Sequence, residues 1–137
     1  MKRFHSVGLR VAMALMVLGT LGCGPKSGVE RHDLSGTVTF EGAPVPVGMV
    51  SFEPIEKGVG GGFAPIRNGL FDTADGGRGA LSGPTSVRIR GFDGIKDPSN
   101  PDAPPKALFE AYETTLDLAD DQDEIEFALP LEGAQPN

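Results

Sequence analysis

The sequence predicts an all-β fold: a seven-stranded antiparallel β-sandwich of Greek-key type, preceded by an export signal. Three observations carry that expectation. From Leu34 onward, apolar residues recur with a period of two rather than 3.6. The 137 residues include 20 glycines and 12 prolines, too many for a helical bundle but suited to the turns of a sandwich. The pair Asn68-Gly69 separates two apolar runs, and it is the preferred sequence for a two-residue hairpin turn in which both positions take positive φ. A chain of this length holds one domain. The expected organisation is a leader over residues 1–22, Cys23 with a tether to residue 33, the sandwich over 34–131, and a polar tail over 132–137.

Residues 1–10 carry Lys2, Arg3 and Arg10 with no acid, and residues 11–21, VAMALMVLGTL, are apolar. A short basic segment, a brief apolar run and then small residues is the order of an export signal. Broken at Arg10, the apolar stretch falls short of the roughly 20 residues a helix needs to cross a bilayer. The run ends in Thr20-Leu21-Gly22-Cys23-Gly24. This resembles the lipobox of bacterial lipoproteins, in which a small residue precedes an obligatory cysteine. The resemblance implies cleavage between Gly22 and Cys23, a diacylglyceryl group on the Cys23 sulfur, and acylation of the new α-amino group. Gly22 and Cys23 match the pattern, whereas Thr20 stands where leucine is usual and Leu21 is bulkier than the usual alanine or serine. The alternative is a plain secretory signal with an incidental cysteine. Cys23 is the sole cysteine, so no internal disulfide can form. Two or three acyl chains, at about 0.8 kcal/mol per buried CH₂, make an effectively permanent anchor. Gly24 replaces the aspartate that often signals inner-membrane retention, so the resemblance points to the outer membrane. The expected location is therefore the cell envelope, exported and membrane-anchored.

Residues 24–33, GPKSGVERHD, are polar and aperiodic. They read as a tether whose r.m.s. reach is under about 20 Å. Alternation begins with Leu34, Gly36, Val38 and Phe40 on one face and Ser35, Thr37 and Thr39 on the other. Glu41-Gly42-Ala43-Pro44 reads as a turn, and Gly48, Val50 and Phe52 define a second strand ending at Pro54. Residues 58–62 read as a Gly-rich loop. The Asn68-Gly69 turn pairs Arg67 with Leu70 and Ile66 with Phe71, which places Ile66 and Phe71 together on the core face. After a second Gly-rich loop, 74–84, Val87 and Ile89 face inward while Arg88 and Arg90 face outward. Residues 93–106, with four prolines, read as the longest loop, and 107–111 as the one possible helical turn. Tyr112, Thr114, Leu116 and Leu118 form a sixth alternating set, and Ile125, Phe127, Leu129 and Leu131 a seventh.

The stretch LSGTVTFEGAPVPVGMVSFEP resembles the opening of transthyretin-like (prealbumin-like), carboxypeptidase regulatory-like β-sandwich domains. Residues 67–71 resemble their middle hairpin, and Ser82-Gly83-Pro84 the approach to the following strand. Residues 108–116 resemble the segment before the last strand in small bacterial lipoproteins of this type, with Ala111 and Glu113 where Lys and Asn are frequent. The resemblance spans most of residues 34–131. It implies a fold more than a function: in peptidases such a domain accompanies a separate catalytic domain, which these residues do not supply, and in surface proteins related domains act as stalks or adhesion modules.

The formal net charge is −7, and loss of the leader would make it about three units more negative. Such a chain repels phosphate backbones, which argues against nucleic-acid binding. After the leader one histidine remains, His32, in the tether, where a Ser-His-Asp or metal site would lack rigid support. With Cys23 assigned to the anchor, no zinc ligand set is in view. Transthyretin-like hydrolases end in Tyr-Arg-Gly-Ser, whereas this chain ends in Gly-Ala-Gln-Pro-Asn. The GVGGG stretch has no Gly-Lys-Ser/Thr after it and so lacks the context of a phosphate cradle. An isopeptide cross-link is excluded, since the first strand offers Thr37 and Thr39 but no lysine. With no tryptophan and one tyrosine, Tyr112, which belongs to the inward set, the chain lacks a sugar-stacking platform. Arg88 and Arg90 point outward, toward an anionic ligand or toward acids on a neighbouring strand.

The sequence therefore predicts a protein without catalytic residues, cofactor or metal. It reads as a structural or protein-interaction module held to the membrane through Cys23, with an envelope protein as its prospective partner. The alternative is a ligand- or calcium-binding envelope protein using loop 93–106 and the acidic loop 117–124, which holds Asp117, Asp120, Asp121, Asp123 and Glu124.

Overall fold

A computed structural model describes residues 29–56 and 60–130. The leader, the cleavage site Gly22–Cys23 and most of the tether lie outside these residues, as does the tail. No helix occurs among the described residues. The described residues are all-β, with strands β1 (Ser35–Phe40), β2 (Ala43–Pro44), β3 (Val47–Pro54), β4 (Gly62–Arg67), β5 (Leu70–Asp72), β6 (Gly83–Phe92), β7 (Tyr112–Leu118) and β8 (Glu124–Leu129). They form one sheet in the order β2-β1-β5-β4-β3-β6-β7, with β8 on the other side of β1. The sheet curls strongly around one core, so Phe71 of β5 meets both Phe52 of β3 and Phe127 of β8 at ring separations of 6.0 Å.

Alternation decides which side chains enter that core. Val38, Val50, Phe52, Ala64, Ile66, Phe71, Val87, Ile89, Leu118, Ile125, Phe127 and Leu129 are all buried, and their strand neighbours face outward or are only partly covered. The hairpin has the expected register, Ile66 opposite Phe71 and Arg67 opposite Leu70. Asn68 and Gly69 take φ of 52° and 75°, as a type I′ turn needs. Gly36 and Gly48 belong to the inward sets for a steric reason. A Cβ on Gly36 would lie 1.8 Å from the Ile125 carbonyl oxygen, and one on Gly48 2.2 Å from that of Arg90.

Three features differ from the sequence expectation. Among the described residues the strands number eight, in one continuous curled sheet, where seven were expected, because Ala43–Pro44 bridges back to Thr39–Phe40 in place of a plain turn. The sheet is antiparallel except between β1 and β8, which run parallel from Ser35↔Glu124 to Phe40↔Leu129. The cause is topological. β7 ends at the same end of the sheet where β1 begins, and residues 119–123 carry the chain straight across, so β8 must run in the direction of β1. Finally, residues 107–111 make no helical turn. Instead Phe109 inserts its ring over Gly91, where a Cβ would come within 2.6 Å of it, and packs against Phe40 and Tyr112 at 4.9 and 5.2 Å. These three rings close one end of the core.

Pairing defines two ends. At the upper end lie turns 41–42 and 68–69 and the long connection 93–111. At the lower end lie residues 55–56 and 60–61, the loop 73–82, the acidic turn 119–123 and the entry of the chain at residues 31–34.

Candidate interaction face

The chain is fastened at its point of entry. Arg31 donates to the carbonyls of Gly79 (2.9 Å) and Gly60 (2.5 Å), with a longer contact to Gly61 (3.4 Å). His32 and Ala80 exchange backbone hydrogen bonds of 3.1 and 3.0 Å. The buried Thr73 Oγ1 accepts from Leu34 N at 2.8 Å and donates to Asp33 Oδ1 at 3.2 Å. Residues 31–33, at the end of the expected tether, thus bond to the lower-end loops. A glycine-rich loop suits this contact, since it leaves carbonyls accessible to a guanidinium fork.

His32 does not complete a catalytic set. Its Nδ1 lies 3.5 Å from Ser82 Oγ, but Asp33 bonds to Thr73 instead, and His32 Nε2 is buried with no partner among the described residues. A base with no group to orient it lacks the geometry of nucleophilic catalysis. The loops proposed for a ligand or calcium are also not brought together. Loop 93–106 is at the upper end and 117–124 at the lower end, separated by the length of β7, which is roughly 20 Å for seven residues. Among the described residues, no three His, Cys, Asp or Glu side chains converge on a point that would hold a metal ion. In loop 93–106, Asp97 accepts from Ser99 Oγ at 2.6 Å and Ser99 N at 2.8 Å, and these bonds hold its carboxyl below the ordinary aspartate range.

The face that does assemble distinct chemistry is the outer surface of β3, β6 and β7. A shallow groove of about 540 Å³ is lined by Met49, Ser51, Glu53, Ser86, Arg88, Arg90, Phe92 and Glu113. Register explains its composition. Ser51 lies opposite Arg88, and Arg88 opposite Glu113, with which it forms an ion pair. One row up, Met49 stands between Pro65 and Arg90. In the next row Val47 stands between Arg67 and Phe92. Met49 and Val47 are 41% and 40% exposed, unusual for large apolar residues in mid-sheet, and they are contiguous. Arg90 carries no ion pair among the described residues.

Arg88 and Arg90 were both legible as outward-facing. Val47, Met49 and Phe92 were missed, though the same alternation that sends Gly48, Val50 and Phe52 inward sends Val47 and Met49 outward. Compared with known protein families, with curated proteins and with solved structures, the chain matches none.

Proposed function

We propose that this chain is a membrane-anchored lipoprotein of the cell envelope, a non-catalytic module that presents a β-domain to a protein partner. The observation that carries the reading is in the sequence: the only cysteine, Cys23, stands where a basic and apolar leader ends in Gly22. The place of chain entry is in keeping with it. With the chain fastened at Arg31 and His32 on the lower end, an anchor at Cys23 would leave the upper end turned away from the membrane. On this reading the curled sheet is a divergent transthyretin-like, carboxypeptidase regulatory-like sandwich, with β7-β6-β3-β4 and β8-β1-β5 as its two layers. The test is metabolic labelling of cells with a clickable fatty acid. Label is expected on the wild-type chain and absent from Cys23→Ala; equal labelling of both would refute the anchor.

A further inference from the structure

The protein is acidic overall, yet the strand positions on the upper half of its β4–β3–β6 outer face carry no acid, and Asp75, which reaches this face from loop 73–82, is paired with Arg67. The rows Pro65-Met49-Arg90 and Arg67-Val47-Phe92 contain no acid, and Ile95, 70% exposed, adjoins them through Gly94, which packs near Val47. Arg67 is held by Asp75 at 3.3 Å, which leaves Arg90 as the cation of these rows without an ion pair among the described residues, beside Met49, Val47 and Phe92. A guanidinium without an ion pair among the described residues, flanked on one side by the exposed Met49 and Val47 and on the other by the Arg88–Glu113 pair, has the composition of an interface centre: a planar fork for a carboxylate beside apolar surface that excludes water.

From this juxtaposition we infer that the upper half of the outer face binds a segment of another protein that carries a carboxylate beside a large apolar residue. The inference deepens the reading of the chain as an interaction module and rests on it. Charge complementarity selects the acidic partner. The position of the face selects protein over lipid, because the chain enters at the opposite end of the sheet, and an anchor at Cys23 holds that end, not this one, toward its own bilayer. A second copy is disfavoured by net repulsion between chains of charge −7.

The test uses the full-length chain in zwitterionic detergent and random twelve-residue peptides displayed on phage. Selected peptides are expected to pair Asp or Glu with Leu, Ile or Phe. Their affinity should fall about tenfold or more in Arg90→Glu and severalfold in Met49→Ser, and it should weaken with salt. Arg78→Glu, at the lower end, should leave binding unchanged. Thermal melting of each variant checks that the exposed substitutions leave the fold intact. Basic selected sequences, an absence of enrichment, or equal binding to Arg90→Glu would overturn the inference. So would Arg90-dependent binding to phosphatidylglycerol vesicles, which would make the face a lipid surface, or Arg90-dependent dimerisation in sedimentation. Because fatty-acid labelling at Cys23 is read separately, failed peptide selection with intact labelling overturns this inference and leaves the anchor standing.

Discussion

Leu70 and Phe71 are neighbours in a three-residue strand, and truncating each tests the hairpin from opposite sides. Phe71 is 3% exposed and meets the rings of Phe52 and Phe127, both at 6.0 Å, whereas Leu70 is 61% exposed. Phe71→Ala removes a ring from the centre of the core and leaves a cavity bounded by β3, β5 and β8. Such a change costs about 3–5 kcal/mol, a large share of the roughly 5–15 kcal/mol that holds a domain together. For a domain of this size it lowers Tm by at least about 12 °C. Leu70→Ala, one position away, changes stability by less than about 0.5 kcal/mol. Thermal and urea unfolding followed by far-ultraviolet circular dichroism measures both. A slip of one residue at Asn68-Gly69 would exchange the two faces. If Leu70→Ala is the more damaging substitution, or Phe71→Ala costs under 1 kcal/mol, the register and the core built on it are wrong.

Other perturbations probe separate parts of the structure. Gly36→Ala would set a Cβ 1.8 Å from the Ile125 carbonyl, forcing β8 away from β1 at a cost of roughly 1–3 kcal/mol or more; unfolding at the wild-type midpoint would contradict the parallel pairing. Arg31→Ala removes the guanidinium bonds to Gly60 and Gly79, and hydrogen exchange at the His32 and Ala80 amides should speed up by tenfold or more, in line with about 1.5–3 kcal/mol for a bond to a charged group. Unchanged exchange would mean the clasp contributes nothing. The Asp97 carboxyl should titrate below the ordinary value of about 3.9 by carbon NMR, and Ser99→Ala should raise it toward that value. Because its folded-state pKa is depressed, its contribution to the order of loop 93–106 is present above the ordinary value and is lost as pH falls through the depressed one.

What the sequence discloses here follows from what a period of two encodes. Alternation states which side chains share a face, so Val38, Val50, Phe52, Val87, Ile89 and Phe127 are readable as core from the sequence alone. Turn chemistry fixes one pairing, Ile66 with Phe71, because Asn68 and Gly69 tolerate positive φ together. Alternation does not name a strand's neighbour, and it is the same for parallel and antiparallel ladders, so the β1–β8 pair was invisible. Phe109 lies in an aperiodic, proline-flanked stretch, and only the empty space over Gly91 gives it a place. Arg31 sits in a polar decapeptide with the composition of a linker, and its acceptors are backbone carbonyls, which leave no trace in side-chain pattern. The outer face was half legible. The arginines stand out in an acidic chain, but their apolar companions come from a different strand, and only register brings Met49 beside Arg90.

The most direct measurement is the intact mass of the protein extracted from membranes of the cells that produce it. The account predicts a chain beginning at Cys23, heavier than its amino acids by a diacylglyceryl group with or without an additional acyl chain, and partitioning with detergent. A chain that begins elsewhere, or that begins at Cys23 with an unmodified thiol, would contradict it.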